Sequence, residues 1–254
     1  RSWYASAQAS MASRSEGTPP MPPKASSTSS DEKDHKTDES HPFFHYYAML
    51  VHQQNMLQDA VRTSTYQQAM IQNANDFKDK VVLDVGTGTG ILAFFAIQAG
   101  ARKVYAVEAS EMAKHARTLV TANGVKDKII VLKGKVEEVD VPEKVDIIIS
   151  EPMGFMLVHE RMLESYIAAR DRFMKPGGLM MPSTGTIYVS MFSDENLYNE
   201  QLQKVAFWQT QDFYGVDLSS LYSQALQDTF GQPVVGYFDP SVLLTSQTAT
   251  YTID

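Results

Sequence analysis

Two glutamates bracket an apolar loop in the middle of the chain, in the stretch SEPMGFMLVHER (150–161). Glu151 directly follows the apolar run VDIIIS, and Glu160 stands nine residues later, where a segment with helical spacing begins. This separation suits a hairpin loop, in which the two carboxylates converge. Two facing carboxylates match a planar, bidentate cation such as guanidinium. Either acid alone would be read as a solvated residue or a helix-start charge, but the pair predicts a site for an arginine side chain.

The basicity of arginine limits the chemistry that such a site can perform. Guanidinium has a pKa above about 12, so removing its proton in advance at pH 7 costs more than about 7 kcal/mol. Two carboxylates can instead hold the cation, draw its charge toward the nitrogens that face them and leave the remaining nitrogen free to attack. The proton is then lost while this nitrogen attacks its target or afterwards. We expect the apolar loop to exclude water and so to strengthen these contacts.

A glycine-rich turn upstream predicts a cofactor beside the two acids. LDVGTGTG (83–90) joins a buried strand to a helix, where glycines let the backbone approach a ligand closely. Glu108 closes the next strand, about twenty residues later, and could accept both hydroxyls of a ribose. The spacing G-x-G-x-G, with Ile91 where a dinucleotide fingerprint needs its last glycine, is typical of S-adenosylmethionine (SAM) binding. A glycine-rich turn without a ligand and, more remotely, a nicotinamide dehydrogenase are the alternatives.

Alternating strands and helices are expected to position these residues. Apolar, β-branched runs precede the glycine turn, Glu108 and Glu151, and segments with helical spacing follow. Such alternation is typical of an α/β fold in which helices cover a parallel, Rossmann-like sheet. Residues 43–77 carry apolar positions at helical spacing and predict two or three short N-terminal helices.

Composition divides the chain of 254 residues into three regions. Residues 1–40 are rich in Ser, Pro and charge and predict a disordered low-complexity tail. Residues 41–182 are predicted to form the SAM-binding domain with its N-terminal helices. Residues 183–254 change to exposed strand patterns and helical segments, so we place a boundary near Pro182.

The overall charge and the absence of cysteine exclude several classes of function. A formal net charge of −8 argues against direct nucleic-acid binding, which normally needs a basic face. The chain has no cysteine, so thiolate nucleophiles and Cys-ligated zinc are excluded, and we expect no metal site. No apolar run approaches the roughly 20 residues that span a bilayer, so we expect no membrane partner.

With its motifs in place, the sequence resembles the type I protein arginine methyltransferases. The resemblance runs from about Phe43 to Val235 and includes QQNMLQDAVRTSTY, AGARKVYAVEAS, VDIIISEPMGFML and ERMLESY. It implies transfer of methyl groups from SAM to protein arginine, giving mono- and asymmetric dimethylarginine. It also implies substrates among histone tails and RNA-associated proteins, a place in transcription regulation, a homodimer, and localisation to nucleus and cytoplasm.

The resemblance assigns roles to individual side chains. Glu151 and Glu160 match the paired catalytic glutamates, and Met153 and Met162 would flank the target arginine. Arg62 would bind the carboxylate of SAM, Glu108 its ribose, and Val136 and Glu137 its adenine. The remaining residues implied to bind the cofactor are Phe44, Tyr47, Gln53, Gly86, Thr87, Gly88 and Ser165. Tyr47 could in addition steady one of the glutamates.

After residue 182 the resemblance implies the start of a β-barrel-like substrate domain with a helical dimerisation arm. The segment DENLYNEQLQKVAFWQTQDFYGVDL resembles that arm, with Phe207 and Trp208 as candidate anchors. The Thr-His-Trp motif of the family is absent, because none of the six histidines is followed by Trp. We therefore expect a fragment of a longer protein or a truncated form. The alternative to an active enzyme is a catalytically weak scaffold that binds SAM or dimerises.

Overall fold

The computed structural model of the protein describes residues 42–254. The tail predicted for residues 1–40 lies outside the described residues. In chain order the helices and strands are α1 (Pro42–Tyr47), α2 (Leu50–Gln58), α3 (Ala60–Gln72), α4 (Ala74–Phe77), β1 (Val81–Val85), α5 (Ile91–Gln98), β2 (Lys103–Glu108), α6 (Met112–Ala122), β3 (Ile129–Lys133), β4 (Val145–Ser150), α7 (Met162–Phe173), β5 (Met174–Met181), β6 (Gly185–Val189), α8 (Glu195–Val205), α9 (Tyr222–Phe230) and β7 (Ala249–Ile253). Short 3-10 helices lie at Ala206–Gln209, Ser219–Leu221 and Pro240–Val242.

Strands β1 to β5 form one parallel sheet in the order β3-β2-β1-β4-β5. The strand order reverses between β1 and β4, because the chain first adds strands on one side of β1 and then on the other. In open sheets of this kind, ligands bind in the crevice at the carboxyl ends of the strands where the order reverses. The predicted α/β Rossmann-like fold with N-terminal helices is confirmed.

The core lies on both faces of the sheet, since successive side chains of a strand point to opposite sides. Val82 and Ile147 pack on one face with residues of α3 and α5, whereas Leu83 and Ile148 pack on the other with residues of α7. All five residues of β1 are buried. Continuous burial explains why these strands are mostly apolar, as is typical of parallel strands between two helix layers, with Asp84 as the exception in β1.

Strand β5 contains a segment whose composition is typical of a turn. The residues KPGG (175–178) indicate a turn that closes a helix, and α7 does end at Phe173, but the chain continues directly as β5, which pairs in parallel with β4. Pro176 lacks an N–H and is tolerated because β5 is the edge strand. A Cβ at Gly178 would stand 2.9 Å from the Asp146 carbonyl oxygen, so the glycine serves close approach rather than a turn. The turn signal appears as an irregular stretch of the strand, since Gly177 has a φ of +76° and the register with β4 shifts between Met174 and Leu179.

The described residues form two compact units, and the second covers Thr186–Ile253. In that unit β6 pairs with β7, and α8 begins at the side chain of Asp194, which accepts a hydrogen bond from the Leu197 N–H at 3.0 Å. The predicted boundary near residue 182 lies close to this division, but the domain ranges and the start of a barrel remain predictions. Within residues 42–254, no helix is both long and apolar enough to cross a membrane.

Candidate active site

The predicted site residues cluster at the carboxyl edge of the sheet, beside the ends of β1 and β4. The Ser150 hydroxyl donates a hydrogen bond of 2.7 Å to the carbonyl of Val85, which ties the last residues of the two strands together. The glycine turn therefore leaves β1, and the hairpin with the two glutamates leaves β4, from adjacent points. The strand order brings together motifs that are more than sixty residues apart in the chain.

The glycine turn is shaped by close contacts at its outer surface. Gly88 has a φ of +57°, and a Cβ there would stand 2.8 Å from the Oε1 atom of Gln53. At Gly86 the φ is +71°, and a Cβ would stand 2.9 Å from the terminal methyl of Met162. Any other residue at these two positions would add strain and a collision. The two glycines thus allow the side chains of Gln53 on α2 and Met162 on α7 to approach the backbone of the turn closely.

Asp84 anchors the turn from inside, and the sequence reasoning missed it. Its side chain is fully buried at the end of β1 and accepts a 2.5 Å hydrogen bond from the Thr87 hydroxyl. Its second oxygen, Oδ1, has no hydrogen-bond partner among the described residues. Burial raises the pKa of Asp84 to about 7, and the Thr87 hydrogen bond only partly offsets this. An acid inside the apolar run VVLDV was the sequence signal that could have identified it.

Glu108 also holds the glycine turn in place. One carboxylate oxygen accepts the Gly88 N–H at 2.8 Å and the other accepts the Ser110 N–H at the same distance. The residue is buried, with 8% of its surface exposed. Each carboxylate oxygen has a second lone pair, so these contacts leave capacity for hydroxyl donors. Binding of a ribose by Glu108 remains a prediction.

The loop between the two glutamates folds back on itself as a hairpin. The Leu157 N–H donates to the Gly154 carbonyl at 3.0 Å, and Gly154 lies against Glu160. Met156 and Leu157 have φ values of +53° and +64°, in the left-handed region that side chains rarely adopt. Each such residue costs roughly 1–2 kcal/mol. This strained loop returns Glu160 to the side on which Glu151 leaves the sheet.

Helices α1 and α3 supply a partner to each glutamate. The Arg62 guanidinium forms an ion pair of 2.7 Å with Glu151, and the Tyr47 hydroxyl donates a 2.8 Å hydrogen bond to Glu160. The Gln53 amide donates to the Tyr47 carbonyl at 2.9 Å and so links α2 to the end of α1. The N-terminal helices therefore close over the glutamates, and four of the predicted site residues converge there.

Burial and the neighbouring acid set the electrostatics of Glu160. Desolvation raises its pKa and the charge of Glu151 raises it further, whereas the Tyr47 hydrogen bond and His159 act in the opposite direction. The pKa of Tyr47 is itself raised, first by burial and then by the charge of Glu160, so the phenol stays a hydrogen-bond donor at neutral pH. The two acids thus share a site where a bound cation would be strongly favoured.

The remaining predicted residues differ in burial and in contacts. Phe44 on α1 lies half-buried beneath the Lys135 ammonium, which stands 6.0 Å from the ring centre. Val136 is buried in the core, so that a ligand there would meet mainly its backbone, and Glu137 is exposed. Ser165 lies partly exposed on α7. The roles of these residues in adenine binding remain predictions.

The two methionines predicted to flank the target arginine lie in different surroundings. Met153 is 53% exposed, just after Glu151 in the hairpin. Met162 is half-buried at the start of α7, and its terminal methyl lies next to Gly86. Met162 thus contacts the glycine turn, while Met153 faces outward. In the part of the chain that the structure describes, no group of three or more His, Cys, Asp or Glu side chains could hold a metal ion.

Comparisons with known proteins give the same picture. The family profile described as "Methyltransferase domain" matches residues 82–178. A rice protein named "Probable histone-arginine methyltransferase CARM1" (Oryza sativa subsp. indica) is 59% identical over 207 residues, which are 81% of this chain and 39% of that protein. "Probable histone-arginine methyltransferase 1.3" of Arabidopsis thaliana is 59% identical over 205 residues, 80% of this chain and 38% of that protein.

A solved structure with the same architecture comes from Trypanosoma brucei, the "PRMT1 enzyme-prozyme heterotetrameric complex with AdoHcy". It is 41% identical and superposes with a TM-score of 0.69 over 82% of this chain and 63% of that one. The chain spans about two fifths of the length of the curated relatives it matches. The comparisons therefore cover the sheet, its helices and the hairpin, and not the whole length of the relatives.

Proposed function

The chain belongs to the protein arginine methyltransferase family, and from this premise we propose that it transfers a methyl group from SAM to arginine side chains of proteins, giving mono- and asymmetric dimethylarginine. The observation that carries the proposal is the convergence of Glu151 and Glu160. A strained hairpin brings both acids to the carboxyl edge of the sheet, beside the glycine turn that follows β1. Two acids in that position fit a guanidinium.

The residues at the glycine turn fit SAM. The glycines of the turn allow close approach to its backbone, Glu108 offers two carboxylate oxygens to hydroxyl groups, and Arg62 offers a cation to a carboxylate. Phe44 and Tyr47 would cover the cofactor from α1, with Gln53 on α2 and Ser165 on α7 nearby. When bound, SAM supplies a methyl group made electrophilic by the attached sulfonium.

The glutamates would hold and polarise the substrate. Glu151 and Glu160 would each accept hydrogen bonds from the guanidinium, draw its positive charge toward themselves and free the third nitrogen as nucleophile. Methyl transfer forms a nitrogen–carbon bond as the methyl–sulfur bond breaks, and the product then releases one proton. Glu160 is suited to take that proton because burial raises its pKa above that of an ordinary glutamate. Alignment of the reacting atoms would contribute about 7–11 kcal/mol.

The finer features of the function follow from the family and the surface. The names of the plant relatives describe histone-arginine methyltransferases, and a net charge of −8 suits basic tails as substrates. We include histone tails and RNA-associated proteins as substrates, a role in transcription regulation, and localisation to nucleus and cytoplasm. The exposed aromatic Phe207, next to Trp208 in the second unit, supports assembly as a homodimer.

Methyl transfer to a defined peptide tests the proposal. The purified chain is incubated with SAM labelled in its methyl group and an arginine-rich peptide, and incorporated label is counted. We expect incorporation by the wild-type chain and a loss on the order of 100- to 1,000-fold in Glu160→Gln, which keeps the shape but removes the charge. Glu143→Gln, at an exposed ion pair with Arg102, serves as the matched control and should retain activity. Binding of SAM without any incorporation by the wild-type chain would instead support a scaffold.

A further inference from the structure

Arg62 occupies a carboxylate that the proposed reaction reserves for the substrate. Its guanidinium lies 2.7 Å from Glu151, and both side chains are largely buried, with 26% and 18% of their surfaces exposed. Screening by solvent is weaker for such a pair than for an ion pair at the surface. Chemically, the contact is a guanidinium on a carboxylate, which is the interaction expected between a substrate arginine and the same glutamate.

The pairing places a positive charge directly on Glu151. Its Oε2 atom accepts from Arg62, and its Oε1 atom accepts the N–H of Met153 at 3.3 Å. Each oxygen keeps a second lone pair, but a second guanidinium at the same carboxylate would stand close to that of Arg62 and be repelled by it. An arginine from another protein would therefore bind Glu151 more tightly once Arg62 has moved away.

Glu160 differs from Glu151 in the charge of its hydrogen-bond partner. The partner of Glu160 is the phenol of Tyr47, which is neutral and does not offset its charge. With Arg62 on Glu151, the two acids and one cation sum to a single negative charge instead of two. Movement of Arg62 away from Glu151 would therefore restore both a free carboxylate and the second charge.

A rigid backbone and a long side chain would allow Arg62 to change partners. The Arg62 N–H is held by the cap residue Asp59 at 3.0 Å, so the start of α3 is fixed. Only the side chain needs to move. Under the proposed function, the carboxylate of SAM is a second anion to which the Arg62 guanidinium can bind, and it is present only when the cofactor is bound.

We propose that Arg62 is an internal substitute for the substrate arginine, which holds Glu151 until the carboxylate of the cofactor draws it away. This inference rests on the proposed function. It makes binding of the cofactor and of the protein substrate cooperative, with a coupling carried by one side chain. Couplings between sites are typically five- to 150-fold, and we expect about tenfold here.

Two cofactor fragments separate this coupling from simple filling of the pocket. The affinity of an arginine-rich peptide for the wild-type chain is measured by fluorescence anisotropy alone, with S-adenosylhomocysteine, and with 5′-methylthioadenosine, each near saturation. The second compound keeps the adenosine and the thioether but lacks the carboxylate. We expect S-adenosylhomocysteine to tighten peptide binding about tenfold and 5′-methylthioadenosine to change it less than twofold. Equal tightening by both compounds would refute the exchange.

Removal of the internal guanidinium provides the second test. In Arg62→Met we expect cofactor-free peptide affinity to rise about tenfold, to the level of the wild type with S-adenosylhomocysteine. The control Arg102→Met also removes an arginine from an ion pair with a glutamate, at the opposite edge of the sheet, and should leave peptide affinity unchanged. Unchanged or weaker binding by a folded Arg62→Met protein contradicts the inference. If neither S-adenosylhomocysteine nor peptide binds the wild type, both the proposed function and the exchange are wrong; binding without coupling contradicts only the exchange.

Discussion

At both edges of the parallel sheet, a tyrosine and an arginine contact glutamates, but the effect on the glutamates differs between the edges. At the amino edge, Glu143 accepts hydrogen bonds from Tyr105 at 3.0 Å and from Arg102 at 3.2 Å. At the carboxyl edge a tyrosine and an arginine again contact glutamates, Tyr47 on Glu160 and Arg62 on Glu151. One glutamate collects both partners at the first edge, whereas two glutamates divide them at the second.

The pKa shifts of the acids differ between the edges because their surroundings differ. The Tyr105 hydrogen bond, followed by contacts with Arg102, lowers the pKa of the exposed Glu143. Burial acts to raise the pKa of Asp146, but the Lys175 ammonium and the Val81 N–H outweigh it and the pKa is lowered. At the carboxyl edge, by contrast, burial dominates and raises the pKa of both Asp84 and Glu160.

The comparison shows that partner identity alone does not decide what an acid does. At the partly exposed Glu143, a tyrosine and an arginine stabilise the ionised carboxylate and lower its pKa. At Glu160 a tyrosine hydrogen bond does not prevent a raised pKa, because burial and the charge of Glu151 act in the opposite direction. Acids with raised pKa values in a cleft are candidates for binding and catalysis. The following predictions test this difference, beginning with the largest expected effect.

Replacement of Asp84 at the carboxyl edge and of Asp146 at the amino edge should change the free energy of unfolding with opposite dependence on pH. Because the pKa of Asp84 is raised to about 7, the folded protein keeps a proton that the unfolded chain loses near pH 4. The stability from this group is present at low pH and is lost as the pH rises through 7. In Asp84→Asn the fall in unfolding free energy between pH 5 and pH 8 should shrink by about 2.5 kcal/mol.

The control for this prediction is Asp146→Asn, and urea denaturation at both pH values measures the two variants. Asp146 has a lowered pKa, so its stabilisation is present above its ordinary pKa and is lost as the pH falls through the folded value. Asp146→Asn should therefore cost stability at pH 8 and less in acid. Parallel pH profiles for the wild type and Asp84→Asn would show that Asp84 ionises in the folded protein as it does in water.

Displacement of Glu160 without a change of charge should reduce activity at the carboxyl edge. A Cβ at Gly154 would stand 2.9 Å from Glu160 Cγ and 3.0 Å from its backbone nitrogen. Gly154→Ala should therefore shift the glutamate and lower kcat about tenfold, since misplacement by about 1 Å can cost 100-fold. Gly236→Ala, where a Cβ meets nothing within 4 Å, should have full activity. Equal rates for the two variants in the methylation assay would contradict a position-dependent role for Glu160.

Loss of the tyrosine hydrogen bond should produce the smallest change, a shift of the pH profile. The Tyr47 hydrogen bond lowers the pKa of Glu160 against the effect of burial, so Tyr47→Phe raises that pKa further. Activity that needs ionised Glu160 should then be lost at a higher pH as the solution is acidified, with less change at pH 9. Tyr105→Phe removes the equivalent bond to Glu143 and should leave the profile of kcat against pH in place. A shift of the Tyr47→Phe profile to lower pH would refute this account.

Much of the fold could be predicted because most strands can be recognised from short stretches of sequence. The apolar runs of β1, β2 and β4, and the glycine turn after β1, follow from residue type and spacing. β5 could not be predicted, since Pro176 and its following glycines signal a turn in any local window, and only the pairing of the residues on either side of them with β4 produces a strand. The hairpin between the glutamates was predicted, but its left-handed residues Met156 and Leu157 were not, because neither residue type favours that conformation.

The sequence by itself determined the chemistry that the chain can present: two acids around an apolar loop, a glycine turn and an acid after the second strand. These depend on residue types at short spacing, and local sequence contains that information. The resemblance implied that Tyr47 could steady one of the glutamates, but only the tertiary structure decided that this is Glu160, 113 positions away, and that Arg62 meets Glu151 across 89 positions. The tertiary structure also decided that Asp84 is fully buried and that Glu143 is partly exposed to solvent. Burial and long-range contacts are properties of the packed chain, and they set the charge state on which the chemistry depends.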